Sequence, residues 1–304
     1  MPTTVFDGIL NINKPSGITT MDVVRNVKRI TNQRKVGHAG TLDPFASGVV
    51  PICLGRATKM IEYLFDTPKK YRAVIHFGVE TDTYDSSGKI IREIDFHDDF
   101  KKSDIHQVLK SFVGNIKQVP PMYSALKYNG KRLYDLARAG VQIDRDPRLV
   151  TVYNIEIIDW KSPYLTLDVE CGRGFYMRSL AYDLGSIMKC GGSLKSLIRL
   201  KGGGFSIEDA ISLEVLSEHN KNDLWLKFLH KIDFAIMHFP IIHLEPKDEQ
   251  ELKNKGAITF LDNLSSNSYS VENIYRLYSQ NESLLGIASY SKKLKKWVLD
   301  RAFW

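Results

Sequence analysis

The sequence predicts an α+β protein with a small β-rich module at its C-terminal end. Three observations carry that prediction. Apolar residues alternate with a period of two in 71–79 and 164–171, the mark of half-buried strands. They recur every three to four residues at Val23, Val27 and Ile30, and again from Met177 to Met188, the mark of core-facing helices. After Phe239 the apolar pieces shorten to runs such as Tyr269–Val271 and Leu285–Ala288, beside a basic tail, 292–297. A boundary is therefore placed near 234–240, dividing the chain into residues 1–236 and 237–304.

In order, 8–13 reads as a short strand ended by Lys14-Pro15-Ser16-Gly17, a turn composition. Thr19 or Thr20 caps the helix that follows. Arg25, Lys28 and Arg29 fall off its apolar stripe, with Arg34 and Lys35 just after; they form a basic rim or a plain solvated face. Residues 37–48 hold Gly37, Gly40, Gly48, one proline, one histidine and a single carboxylate. That is too much glycine for a helix or strand interior, so the stretch reads as a shaped loop. Pro44 fixes its own φ and biases Asp43 toward an extended conformation. Two readings stay open: a tight turn with Asp43 as turn former, or an active-site loop presenting Asp43 beside His38.

Val49–Leu54 is a mostly apolar run, and 56–65 reads as a helix ended by Pro68. The strand at 71–79 has Tyr71 at its beginning, either filling core or available for stacking on a base. Residues 81–88 form a polar turn with Asp82 and Asp85, and 103–113 a helix. A long irregular stretch, 118–149, interleaves Tyr123, Tyr128 and Tyr134 with lysines and arginines. RNA suits such a segment, because its phosphates want cations and its splayed bases want aromatic faces; the plainer alternative is a surface insertion basic by chance.

Strands follow at 150–159 and 164–171, then the turn Gly172-Arg173-Gly174. A helix comes next, with Met177, Leu180, Ala181, Leu184, Ile187 and Met188 on its stripe, stopped by Gly191-Gly192. Arg178 sits at its start, where the helix dipole favours anions, which points to a specific carboxylate partner. The six-residue glycine pattern of a dinucleotide site is absent. Ser193–Leu200 carries a short apolar set, Gly202–Gly204 is a break, and 212–236 is mostly helical by pattern.

The 304 residues are 43% hydrophobic and 25% charged, an ordinary globular composition. A formal net charge of +7 leans toward a polyanionic partner. The 3 cysteines are far apart and form no CxxC, which reads as reduced thiols in a cytosolic protein without structural zinc. No signal-peptide pattern and no membrane-length apolar run are visible.

Together the motifs resemble the TruB-type tRNA pseudouridine synthases. The likeness starts at Asn13-Lys14-Pro15-Ser16-Gly17 and peaks at Gly37-His38-Ala39-Gly40-Thr41-Leu42-Asp43-Pro44, with Ala46 and Gly48. It continues through Lys70-Tyr71-Arg72, Thr81-Asp82-Thr83 with Asp85, and Met122–Lys127, and closes at Gly174, Tyr176, Arg178, Leu197 and Arg199. Phe175 stands where the family usually has a small hydroxyl residue. The resemblance implies the pseudouridine synthase fold, a central, mostly antiparallel mixed sheet flanked by helices, with a PUA-like RNA-binding module over 237–304. It implies isomerisation of uridine 55 in the TΨC arm of tRNA with no metal and no organic cofactor. Asp43 is then the essential carboxylate, acting as nucleophile or as base at the sugar. Arg178 pairs with Asp43, Tyr71 stacks on the base, and His38 supports the extruded RNA. Tyr176, Asp85 and Leu197 line the pocket. Lys14, Arg173 and the mobile "thumb" at about 118–149 hold phosphates. A cytoplasmic, monomeric enzyme acting on tRNA without a membrane or an obligate protein partner is expected. The alternatives are a non-catalytic RNA-binding or tRNA-folding protein and a guide-RNA-dependent synthase.

Overall fold

The computed structural model describes residues 4–94, 100–255, 274–294 and 296–304. Tyr269–Val271, one of the short apolar pieces, lies outside the described residues. The core is a ten-stranded mixed sheet. Its main path runs Leu229–His230, Gly8–Lys14, Ser47–Leu54, Gly192–Gly202, Lys69–Phe77, Tyr164–Cys171, Arg148–Lys161 and Gly114–Gln118. Val36–His38 adds to Ser47–Leu54, and Phe205–Ser206 to Gly192–Gly202. Every pairing is antiparallel except one: Gly192–Gly202 runs parallel to Ser47–Leu54, with Ile198 beside Ser47 and Arg199 beside Gly48. The expected α+β class, with its mostly antiparallel mixed sheet, is what the chain adopts.

The helix Thr20–Thr31 starts from a capping box: Thr19 accepts from the Asp22 amide while Asp22 accepts from the Thr19 amide. Val23, Val24, Val27 and Ile30 go inward and pack with Ile12, Val50 and Leu54 of the sheet. The helix Met177–Ile187 covers neighbouring strands through Leu180, Ala181 and Leu184. Its expected stripe is shifted. Ile187 is 53% exposed, whereas Arg178 is buried, because the whole first turn inserts against the sheet. Among the described residues no helix is long and apolar enough to cross a membrane.

Several expected elements differ in extent. The strand at 71–79 stops at Phe77, because Gly78 takes φ 87° and sends Val79–Thr81 into a separate ribbon with Ile90–Glu93. The helix expected over 56–65 is a 3₁₀ segment, Gly55–Met60, followed by the α-helix Ile61–Asp66. The stretch 212–236 is not one helical run. A short helix, Leu213–Glu218, gives way to a 3₁₀ segment kinked at Asn222 and Asp223, and Leu229–His230 then joins the sheet edge beside Ile9 and Leu10. The irregular stretch 118–149 contains a hairpin, Lys127–Tyr128 with Lys131–Arg132, turned by Asn129 and Gly130 at positive φ, and a helix, Leu133–Arg138.

The C-terminal residues build a four-stranded sheet, Ile241–His243, Ile274–Tyr278, Leu284–Ser291 and Lys296–Ala302, with the helix Pro246–Lys255 beside it. Its interior gathers Ile242, Leu252, Leu277 and Trp297. Ile287 and Phe303 face the other way and pack with Ile9, Val49 and Met60. Arg56 and Lys59 donate to the Phe303 and Ala302 carbonyls, so the tail is fastened under the 55–66 segment. A division into 1–236 and 237–304 is proposed at the Phe234–Ile236 turn, with a shared apolar seam on Ile236.

Candidate active site

The single parallel pairing sets the site. It places the start of Ser47–Leu54, the exit of the glycine-rich turn, against Arg199. Arg199 in turn faces Tyr71 across the next strand pairing. The turn itself is shorter than the sequence suggested. Gly37 and His38 lie in the strand Val36–His38, and Gly48 in Ser47–Leu54, leaving 39–46 as the connection. Glycine is compatible with these strands because both are short or locally irregular, and because Gly48 must pass close to Arg199.

Gly48 has φ 112°, and a Cβ there would sit 2.3 Å from the Arg199 carbonyl oxygen and 2.7 Å from its nitrogen. Gly48→Ala is expected to cost roughly 2–5 kcal/mol, from strain plus overpacking against backbone. Gly17→Ala, also at positive φ but with open space around it, is expected to cost about 1–2 kcal/mol. Urea unfolding of the two variants measures the difference.

Asp43 sits at the turn's centre. Arg178 pairs with it: Nη2 donates to Oδ1 at 2.9 Å, and Nε lies 2.9 Å from Oδ2, near enough for charge attraction but not aligned to donate. The same Nε is 3.6 Å from Oδ2 of Asp85. Nη2 also donates to the Tyr123 carbonyl at 2.9 Å. Arg178 is buried, while the Asp43 side chain keeps 31% of its surface open. One carboxylate is thus anchored from behind by a buried guanidinium and partly open on its other side. Burial pushes the Asp43 carboxyl above its usual range; Arg178 pulls it back, Asp85 pushes it up, and Lys14 pulls it down more weakly.

Asp85 is buried, and its Oδ1 accepts from Thr83 Oγ1 at 2.8 Å and the Ser87 amide at 3.0 Å. It is the far wall of the Arg178 pocket. Tyr71 projects from the strand Lys69–Phe77 opposite Arg199, and burial raises its pKa. Leu197 belongs to the same apolar cluster as Leu42 and Ala46, with Tyr71 packed against it. Tyr176 caps the Met177–Ile187 helix, and Gln118 clamps its backbone: the Tyr176 amide donates to Oε1 at 2.8 Å and Nε2 donates to its carbonyl at 3.1 Å. His38 pairs with Ile52 in the sheet. Its pKa is lowered, first by burial and then by Arg199, so the ring is neutral at neutral pH.

Lys14 does not present its charge to solvent. It is fully buried and its ammonium donates to the carbonyls of Pro15, Ile18 and Pro44 at 2.9, 2.7 and 3.1 Å. Burial lowers its pKa to about 8. In this structure it holds the turn rather than a phosphate. Arg173 stands apart from the cluster, exposed, with Nη1 3.1 Å from Asp66 and its guanidinium over the Phe65 ring. In the 118–149 segment Lys127, Lys131, Arg132, Arg138 and Arg148 are exposed. Arg132 and Arg138 both lie over Tyr134, so the exposed ring is Tyr128. A cavity of about 470 Å³ opens between this segment and the 82–91 turn, lined by Tyr84, Met122, Tyr123, Val141 and Arg145.

Arg199 carries more of the site than its place in the motif suggested. It is 1% exposed; Nε donates to the Val49 carbonyl at 2.5 Å and Nη2 to the Gly40 carbonyl at 3.2 Å. One guanidinium therefore ties both ends of the Asp43 turn together, on the strand position opposite Tyr71. An arginine within a short apolar set was the available signal, but its two carbonyl partners come from distant parts of the chain.

Residues 28–177 match the family model for the TruB family pseudouridylate synthase (N terminal domain). A Clostridium kluyveri protein named tRNA pseudouridine synthase B is 44% identical over 282 residues, covering 93% of this chain and 95% of its own. The protein of that name from Clostridium perfringens strain 13 is 42% identical over 299 residues, covering 97% of this chain and 100% of its own. Among solved structures, a chain of a Cbf5–Nop10–Gar1 complex superposes with TM-score 0.69 at 25% identity, covering 93% of this chain and 78% of that one. Asp43 and its glycine-bounded turn lie within the matched residues, and the chain belongs to the TruB family of pseudouridylate synthases.

Proposed function

We propose that the chain converts uridine 55 of the TΨC arm of tRNA to pseudouridine, acting in the cytoplasm as a monomer without a cofactor. The observation that carries this reading is Asp43, gripped by buried Arg178 yet open on its outer side. The reaction cleaves the bond from ribose to base nitrogen, rotates the uracil and rejoins it through carbon 5. Atoms and electrons balance within the nucleotide. Asp43 acts at the sugar, as nucleophile or as base, and Arg178 keeps it ionised. The target must first leave its stack, at roughly a few kcal/mol. Tyr71 offers the extruded base a ring, and neutral His38 supports the opened RNA without moving a proton. Asp85, Tyr176 and Leu197 shape the pocket. Arg173 and the basic 118–149 segment hold phosphates. The three free cysteines, Cys53, Cys171 and Cys190, are buried, and burial pushes their thiols up to about 12, 12 and 11, as suits a reducing compartment.

The guide-RNA-dependent alternative is less favoured. Relatives at 42–44% identity carry the name tRNA pseudouridine synthase B, against 25% for the Cbf5-complex chain. The test is purified protein with an unmodified tRNA transcript and no guide, with pseudouridine at position 55 quantified. Binding without product would leave only an RNA-binding protein. Tyr71→Ala is expected to lower kcat/KM about five- to 150-fold, because stacking on a base is worth about 1–3 kcal/mol.

A further inference from the structure

We infer that the exposed basic face made by Lys28, Arg29, Arg34 and Lys35 docks RNA phosphates lying outside the target loop. The inference rests on reading the chain as a tRNA enzyme and adds a surface which that reading did not use.

The face is built into the active-site scaffold. The helix Thr20–Thr31 has 12 residues and is therefore about 18 Å long. Its first residue is welded to the Asp43 turn: Thr20 Oγ1 donates to the Leu42 carbonyl at 3.1 Å and accepts from the Leu42 amide at 2.9 Å. Ser16 Oγ donates to the Phe45 carbonyl at 2.6 Å. Its far end turns at Asn32, in the left-handed region, and returns through Arg34 and Lys35 into the strand carrying His38. Val23, Val27 and Ile30 are buried, so the outward side is fixed in direction before any partner arrives. A pre-ordered surface spends little of its binding energy on ordering.

The charge is one-sided. No Asp or Glu occurs from Val23 to Leu42. Asp22 neutralises Arg25, an i,i+3 pair. Among the described residues no ion pair involves Lys28, Arg29, Arg34 or Lys35; Arg29 donates only to the Asn26 side chain, at 3.0 Å. A face serving solubility alone mixes both signs. Favourable interaction with the helix dipole accounts for Lys28 and Arg29 in the last turn, but not for Arg34 and Lys35 beyond it. A row of unpaired cations leading away from the site complements the phosphates of a strand leading away from the target nucleotide.

The test uses the full chain and a full-length tRNA transcript. The variant is Lys28→Gln, Arg34→Gln, Lys35→Gln; a control takes the same charge from three exposed lysines on other elements, Lys102 and Lys110 at the two ends of the helix Lys102–Leu109 and Lys189 just past the helix Met177–Ile187. Binding is measured across a KCl series, with thermal melting to verify folding. The salt slope is expected to fall by roughly 2–3 in the variant, about 0.7–0.9 per lost phosphate contact, and affinity near 0.15 M salt by roughly ten- to a hundredfold. The control is expected to keep the wild-type slope. An unchanged slope in the variant, or an equal fall in the control, overturns the inference. Pseudouridine formation by the wild type, run in parallel, separates the two ideas: a changed slope without product removes the proposed reaction and keeps the RNA surface, while product with an unchanged slope does the reverse.

Discussion

Asp43→Asn is expected to fold, to bind tRNA with near wild-type affinity, and to lose at least about 10³-fold in pseudouridine formation. Asparagine has the same shape and keeps an oxygen for Arg178 Nη2, although its NH2 then faces Arg178 Nε where a carboxylate oxygen stood; the turn itself stays held by Arg199 through the Gly40 and Val49 carbonyls. It is neither a nucleophile nor a base, so both routes open to the carboxylate close together. Stability is expected to respond in the opposite direction to activity. Burial raises the Asp43 pKa, so the folded chain holds that proton more tightly than the unfolded chain does. Stability from this group is present below the ordinary carboxylate value of 3.8 and is lost as pH rises through the raised folded value. At neutral pH the ionised carboxylate is therefore a cost that the neutral isostere removes. Asp85, 3.6 Å from Arg178 Nε, still gives the guanidinium an anionic neighbour. The urea midpoint of the variant relative to the wild type should therefore rise as pH rises from acid toward neutral. Activity above about a tenth of wild type would remove Asp43 from the chemistry.

The parts of the fold that rest on local pattern could be read directly. Alternation marked Tyr164–Cys171, a threonine cap at Thr19 or Thr20 marked the start of the first helix, and Gly191 marked the end of the Met177–Ile187 helix. What could not be read depends on pairing between distant segments. Leu229–His230 is a strand only because Ile9 and Leu10 offer it an edge, so a helical pattern over 212–236 was overridden. The Asn129-Gly130 hairpin did carry a local signal, the strongest short one for a tight turn, within a stretch treated as irregular. In the site, motif resemblance singled out Asp43, Arg178 and Tyr71. Spacing alone could not bring Arg178 to Asp43 across 135 positions, nor show Lys14 turned inward onto three carbonyls. A charged residue's direction is decided by what packs around it, and no periodicity in the chain encodes that.

Arg178→Met should cost on the order of 10²–10³ in activity at pH 7, the scale for losing one preorganised electrostatic partner. The diagnostic feature is its pH dependence. Turnover needs ionised Asp43, so the wild-type rate falls as pH drops through a carboxyl value already raised by burial. Arg178 is the main influence holding that value down. Without it, burial and the Asp85 charge act with only Lys14 opposing, and the acid limb moves to higher pH. The ratio of wild-type to variant rate is then largest in acid and narrows as pH rises. A ratio that stays flat across the range would mean that Arg178 serves geometry alone. Arg178→Lys separates these further. A lysine restores a positive charge beside Asp43 but cannot span Oδ1, Oδ2 and the Tyr123 carbonyl as the guanidinium does. It should return the acid limb most of the way toward wild type while recovering only part of the plateau rate. The size of that shortfall measures how much of the arginine's contribution is aim rather than charge.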